Sequence, residues 1–393
     1  MVNLPVMNFA RESIETLYKG TFSAASAVQL LWKGRDSFDT IFSAVKDAKH
    51  TVCLEFYIFR NDETGTELAE LLKRKCREGV RVYLLYDHFG SFGTPRSFWS
   101  DMKAAGIRIS SSRPFKWAAP FHYVHRNHCK LIVVDAEKAF TGGLNIANEY
   151  SGFHLRLKGK GWRDTGILLE GPVAAELFTT FRKSWYVWCG EIIGPVADNA
   201  PGEVPPVAGQ GAIPVIPLFV NSARGRRKMR RLLYYSINHA RSGISLTTAY
   251  FTPSRRMVET LESAVKRGVS VRLLAPGTSD IPAAFHAGRA FFTRLLRAGV
   301  DIYAYNGDML HAKTSIFDNC WSIIGSTNLD FQSLRYNDEG NVGILHEGCA
   351  VTMHEIFEED LLHSTRVDYE TWRRRPLSDK IKECFFSLFR RRL

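Results

Sequence analysis

Residues 128–145 read HCKLIVVDAEKAFTGGLN, and residues 311–328 read HAKTSIFDNCWSIIGSTN. Laid over one another without a gap, they match His128 with His311, Lys130 with Lys313 and Asp135 with Asp318. Further along, Gly142 meets Gly325, Gly143 meets Ser326 and Asn145 meets Asn328. The apolar positions between them have drifted: Leu131 stands against Thr314 and Val134 against Phe317. A packing requirement keeps apolar character. It rarely keeps a histidine and a lysine. The two stretches therefore read as two copies of one half-site.

The duplication extends outward. Residues 41–59, IFSAVKDAKHTVCLEFYIF, lead to ELAELLKRKCREGVRVYLLYD at 67–87. Residues 232–251, LLYYSINHARSGISLTTAYF, lead to MVETLESAVKRGVSVRLLAP at 257–276. Each side gives an amphipathic helix, a β-branched strand, a second helix closed by a glycine (Gly79, Gly268) and another strand. MKAAGIRIS at 102–110 and LLRAGVDIYAY at 295–305 repeat helix, glycine and strand. Alternating helices and strands predict an α/β protein with two pseudo-twofold-related α/β/α sandwich halves and a shared active site. The expected boundaries are a first half at 1–200, a Pro/Gly-rich linker at 201–217, a second half at 218–370 and a basic amphipathic tail at 371–393.

On a strand, residues i and i+2 share a face, so His128 and Lys130 point one way, as do His311 and Lys313. A neutral imidazole is a competent nucleophile, and the lysine can hold an anion beside it. Asn145 and Asn328 add amide donors for a phosphate, and Ser326 and the neighbouring glycines permit a close approach. Asp135 and Asp318 complete the catalytic motif in each copy, but their strand parity is opposite, which predicts bracing rather than contact with substrate. Two half-sites facing each other would place two histidines, two lysines and two asparagines around one tetrahedral anion. That set suits phosphoryl transfer through a phosphohistidine, with no metal and no cofactor required. A metal site is the other reading of this region, because His122, His125 and His128 stand three residues apart. The second copy keeps only the last of them, as His311, which argues against a three-histidine metal site.

The doubled motif resembles the signature of the phospholipase D superfamily, His-x-Lys-x4-Asp followed by Gly-[Gly/Ser]-x-Asn. The likeness extends to bacterial cardiolipin synthases from about Val28 to Pro376, through LEFYIFRNDETG, WRDTGILLEGPV, AYFTPS, LLAPGTSD and IIGSTNLDFQSLRYNDEGN. The resemblance implies the phospholipase D fold, with transfer of a phosphatidyl group from phosphatidylglycerol or another phospholipid to a phosphatidylglycerol hydroxyl. It also implies a carboxylate behind each imidazole. By position, Asp164 would orient His128, and Glu339 would orient His311. His128 is the expected nucleophile and His311 the acid and base. The chain looks like the shorter branch of that family, without N-terminal transmembrane helices. Cys129, in alternate parity, is expected to pack away from the site.

The formal charge of +12 suits a polyanionic partner, and the stretch from Trp372 to Leu393 holds six Arg and two Lys against one Asp and one Glu. Leu377, Ile381, Cys384, Phe385 and Leu388 share one helical face there, as expected of an anchor on an anionic phospholipid membrane. RPFKWAAPFHY at 113–123 is expected at the lipid entrance, and ARGRRKMRR at 223–231 as a solvated basic helix face. No window supplies the roughly 20 apolar residues of a spanning helix. The seven cysteines form no C-x-x-C pair and read as reduced thiols. The expected location is peripheral, on the cytoplasmic face of a bacterial cell membrane. A phosphodiesterase that hydrolyses phospholipid or nucleic acid is the competing reading. No nucleic-acid module is evident, so no nucleic-acid partner is expected.

Overall fold

The computed structural model describes residues 9–115, 125–152, 161–196 and 211–389. Its strands, in chain order, begin with Ser23–Ala25 (β1). The first half follows with Ala27–Leu31 (β2), Thr51–Phe56 (β3), Arg81–Asp87 (β4), Arg108–Ser112 (β5), Leu131–Val134 (β6), Lys138–Gly142 (β7) and Gly166–Glu170 (β8). The second half has Ile213–Pro217 (β9), Gly243–Thr247 (β10), Ser270–Pro276 (β11), Asp301–Tyr305 (β12), Thr314–Phe317 (β13), Trp321–Gly325 (β14), Asn341–Leu345 (β15) and Ser364–Arg366 (β16). They form two sheets, ordered β2-β8-β7-β6-β3-β4-β5 and β1-β9-β15-β14-β13-β10-β11-β12-β16.

The central seven strands of the second sheet repeat the first sheet strand for strand. In each, three strands run parallel (β3-β4-β5, β10-β11-β12) and the motif strand pairs antiparallel to the first of them. The registers correspond as well, with Glu55 opposite Leu131 and Thr247 opposite Thr314. The helices Pro172–Cys189 and Glu347–Leu362 share a middle core with inward side chains of both sheets, among them Leu131, Ile167, Ile316 and Val342. Separate outer cores fill the far faces of the two sheets. Thus the sheets are held together by a common apolar layer, and their motif strands meet across it.

Three expectations change. The histidines and lysines of the motifs lie just before β6 and β13 rather than within them, and the amides of His128 and His311 find their backbone partners in the other half. The expected linker reached Pro217, but Ile213–Pro217 is a strand, because Val215 and Ile216 are buried between β1 and β15. Residues 9–25, placed by sequence in the first half, belong to the second: Phe9, Ile14, Tyr18 and Phe22 fill its outer core and Ser23 pairs with Val215. The expected tail carries helix Leu377–Leu388, which packs on helix Pro282–Arg289. Residues 197–210 and 390–393 of the linker and tail lie outside the described residues.

Asp135 and Asp318 sit on the tight turns after β6 and β13, in the left-handed region, with φ of 52° and 50°. Asp135 accepts hydrogen bonds from the backbone of Lys49, His50 and Thr51 at 2.7–2.8 Å. Asp318 does the same for Arg241, Ser242 and Gly243 at 2.7–3.0 Å. Neither aspartate belongs with the catalytic groups: each ties the loop that starts β3 or β10 to the motif strand and is not part of the cleft lining. Asp135→Ala leaves three backbone donors without their carboxylate, and is expected to destabilise the fold by roughly 1–3 kcal/mol. The check is a melting temperature lower by a few degrees; an unchanged one refutes the bracing role.

Candidate active site

The segments that carry the two histidines are stitched to opposite halves. The His128 amide donates to the Asp338 carbonyl (2.8 Å), and the Asp338 amide donates to the Arg126 carbonyl (2.9 Å). In the same way the His311 amide donates to the Arg163 carbonyl (2.7 Å), and the Arg163 amide to the Met309 carbonyl (2.8 Å). Asp338 and Arg163 immediately precede Glu339 and Asp164. Both are locked by ion pairs: Asp338 with Arg113 (2.6 Å) and Arg226 (3.3 Å), Arg163 with Asp360 (2.7 Å).

This stitching crosses the imidazole–carboxylate pairs. His128 Nδ1 lies 3.0 Å from Glu339 Oε2, and His311 Nδ1 lies 2.6 Å from Asp164 Oδ2. The positional expectation, Asp164 to His128 and Glu339 to His311, is therefore reversed. The physical reason is topological. The backbone leading into each carboxylate adds alongside the histidine segment of the other half, and the side chain follows it.

The two carboxylates are seated differently. A Cβ on Gly143 would run into the Asp164 carboxylate, so only glycine leaves room for it. At the matching position Ser326 donates to Glu339 Oε2 at 2.5 Å and accepts from the Gly340 amide at 3.0 Å. Ser326 was expected to contact phosphate. Instead its hydroxyl is buried behind the site and engaged with Glu339.

With Nδ1 occupied, each imidazole is left with Nε2 for the cleft. Both line a cavity of about 360 Å³ together with Asn145, Asn328, Tyr57, Tyr250, Tyr150 and Trp162. Asn145 accepts from the Ile58 amide at 3.1 Å, while its buried Nδ2 has no hydrogen-bond partner among the described residues. That amide belongs to the cleft wall, beside the Tyr150 hydroxyl. Asn328 likewise accepts from the Tyr250 amide at 3.4 Å. The lysines lie beneath the histidines rather than on the wall. Lys130 Nζ donates to the His128 carbonyl at 2.7 Å, and Lys313 Nζ donates to the His311 carbonyl while lying 2.7 Å from His311 Nδ1.

Burial sets the electrostatics. It pushes Lys130 down to about 7 and Lys313 down to about 8. Burial also lowers His128, with Lys130 adding to the effect, and burial with Lys313 pushes His311 down to about 3. Burial alone would raise Asp164, but Lys313 and His311 outweigh it and hold it below the usual carboxylate range. The cleft therefore keeps both imidazoles neutral above the two buried lysines.

Several residues were not singled out by sequence. Tyr57 meets the His128 ring edge-on at 4.9 Å, and Tyr250 meets His311 at 6.2 Å. Their equivalent places after β3 and β10 were a usable signal. Arg126 and Asp330 also line the cleft, and burial raises Asp330 to about 7. Neither carries a motif. Cys129, as expected, is buried and lines a different cavity. His125 stacks edge-on with Tyr336 at 5.2 Å. His122 and most of the segment expected at the lipid entrance lie outside the described residues.

A family model described as "Cardiolipin synthase, PLD-like domain" matches residues 41–183 and 233–361. The chain is 34% identical to a cardiolipin synthase of Geobacillus kaustophilus over 365 residues, covering 92% of this chain and 71% of that protein. It is 32% identical to cardiolipin synthase 1 of Bacillus cereus over 395 residues, covering 96% of this chain and 74% of the relative. Among solved structures, phosphatidylserine synthase of Haemophilus influenzae superposes with a TM-score of 0.77 at 14% identity, over 98% of this chain and all of the other. At that identity the likeness is one of fold.

The crossed pairing has a direct readout. Glu339→Gln removes a charge that raises His128, so the His128 pKa is expected to fall further while His311 moves little. Asp164→Asn should act on His311 in the same sense. Nitrogen-15 shifts of the imidazoles during a pH titration check this; the opposite assignment of shifts would restore the uncrossed arrangement.

Proposed function

Because the chain belongs to the family of phospholipase-D-like cardiolipin synthases, we propose that it transfers a phosphatidyl group from phosphatidylglycerol to the hydroxyl of a second phosphatidylglycerol and releases glycerol. The observation that carries the chemistry is the pair of buried imidazoles in one cleft, each held at Nδ1 by a carboxylate of the opposite half. His128 Nε2 attacks phosphorus, and a nitrogen–phosphorus bond forms as the bond to the glycerol oxygen breaks. His311 gives its proton to that oxygen. In the second step His311 takes the proton of the acceptor hydroxyl, the acceptor oxygen bonds to phosphorus and the His128–phosphorus bond breaks. Lys130, Lys313, Asn145 and Asn328 stabilise the charge on the non-bridging oxygens, Asn145 with its free amide and the lysines from beneath. Glu339 and Asp164 fix the tautomers and stabilise the imidazolium as it forms.

Purified protein with labelled phosphatidylglycerol micelles should yield cardiolipin and free glycerol. Phosphatidic acid alone would point to a hydrolase, and absence of turnover would refute both. His128→Ala and His311→Ala should each reduce turnover by about 10²–10⁴-fold. Substrate binding supplies the proton that His311 needs. The lipid phosphodiester is an anion, so it raises His311, Lys130 and Lys313 from their depressed values, and all three respond by taking up protons. Calorimetry with a short-chain phosphonate analogue, in buffers of differing ionisation enthalpy at pH 7–8, should show net proton uptake; proton release would contradict this electrostatic scheme.

No helix among the described residues is long and apolar enough to cross a membrane. Docking on an anionic bilayer fits the exposed surface instead. Helix Leu377–Leu388 turns its polar side inward, where buried Glu383 pairs with Arg375 (2.5 Å) and Arg289 (3.2 Å). Leu377, Ile381, Phe385 and Leu388 face outward. Phe89 and Phe92 are also exposed. Free thiols at all seven cysteines support a reducing, cytoplasmic location. Ile381→Ser with Phe385→Ser is expected to weaken binding to phosphatidylglycerol-containing vesicles by about tenfold or more. Unchanged co-sedimentation would exclude this face as the anchor.

A further inference from the structure

The basic run ARGRRKMRR proves to be more than a solvated helix face. Helix Ala223–His239 turns Arg227, Arg230 and Arg231 into a groove of about 400 Å³. Arg255 and Arg256, at the start of helix Arg255–Lys266, form its second wall, and Arg335 of helix Phe331–Arg335 closes it. Only Arg255 has an acidic partner, Glu259 at 2.7 Å; the other five guanidinium groups have none among the described residues. Two are pre-set by aromatic rings: Arg256 lies 4.7 Å from the Tyr234 ring centre and Arg335 lies 4.9 Å from that of Phe331. The two arginines that line the catalytic cleft differ. Arg60 is paired with Glu149 at 3.1 Å and Arg126 with Asp87 at 3.4 Å. The groove adjoins that cleft, because the helix that gives it Phe331 and Arg335 gives Gln332 and Ser333 to the cleft.

Five unneutralised guanidinium groups around one groove repel each other, and their natural complement is a multiply hydrogen-bonding oxyanion. We infer that this groove holds the phosphate of an anionic phospholipid, the acceptor, while the donor phosphate occupies the histidine cleft. This placement rests on the phosphatidyl transfer proposed above. It gives the second substrate, itself a phosphodiester, a cationic subsite separate from the lysines that serve the donor phosphate.

The test is a partition experiment with the full chain. Labelled glycerol is an acceptor without phosphate, so its exchange into phosphatidylglycerol does not need the groove, whereas cardiolipin formation does. The variant Arg227→Gln/Arg231→Gln/Arg335→Gln changes three exposed side chains and spares half-buried Arg230, which donates to the Leu334 carbonyl. Its ratio of cardiolipin formation to glycerol exchange is expected to fall about tenfold or more, since hydrogen bonds to a charged phosphate are lost. A charge-matched control, Arg74→Gln/Arg77→Gln/Arg297→Gln, on exposed sites elsewhere, should keep the ratio. Equal ratios in the groove variant and the parent overturn the acceptor subsite. So does loss of inorganic phosphate or oligonucleotide binding without a change in ratio, which would assign the groove to those ligands. If the parent protein forms no cardiolipin at all, it is the transfer itself that fails, a different result.

Discussion

The contact on which the site depends is a pair of backbone bridges, Arg126–His128 against Asp338 and Met309–His311 against Arg163. Each carries a histidine of one half and a carboxylate of the other into the same place. Because Asp338 is buried and Arg163 half-buried, both charges need their own partners. Arg113 and Arg226 serve Asp338, and Asp360 serves Arg163. A buried charge deprived of its partner costs several kcal/mol, so the two pairs that cross the seam, Arg113–Asp338 and Arg163–Asp360, hold the halves in a single register. The common apolar layer of the two middle helices supplies the bulk of the adhesion; the bridges supply its direction.

The electrostatics follow from where this seam lies. Two lysines, two histidines, an aspartate and a glutamate share a nearly dry volume. Desolvation alone would discharge most of them. Their mutual arrangement sustains an ionised Asp164 and a positive floor beneath two neutral imidazoles. Such a site is poised for an anion, whose arrival relieves the lysine repulsion and completes the charge balance that the protein leaves open.

Much of this was legible in the chain. The gapless match of His128–Asn145 to His311–Asn328 predicted two equivalent halves, and the paired sheets have equivalent strand orders and registers. The bracing role of Asp135 and Asp318 followed from strand parity, although grouping by motif had also placed them in the catalytic set. The crossing of Asp164 and Glu339 was not legible. A pseudo-twofold site accepts either pairing equally well, and only the tertiary path of residues 163 and 338 chooses between them. Nor could a repeat reveal that Ser326 serves Glu339, because its counterpart Gly143 makes way for Asp164 instead of binding it. The strand at Ile213–Pro217 hid behind its prolines, and the arginine groove behind a helical run whose individual residues look solvated. Both depend on which neighbours tertiary packing brings near.

The crossed pairing also bears on how such a molecule can change over generations. Since each imidazole leans on the opposite half, neither copy can drift alone: a substitution at residue 339 is felt at residue 128, in the other copy of the duplicated unit, as well as at Ser326 in its own. Inheritance thus treats the two halves as a single locus of selection for the chemistry, while their outer cores stay free to diverge. Differences between the copies are thus left to the surfaces around the seam.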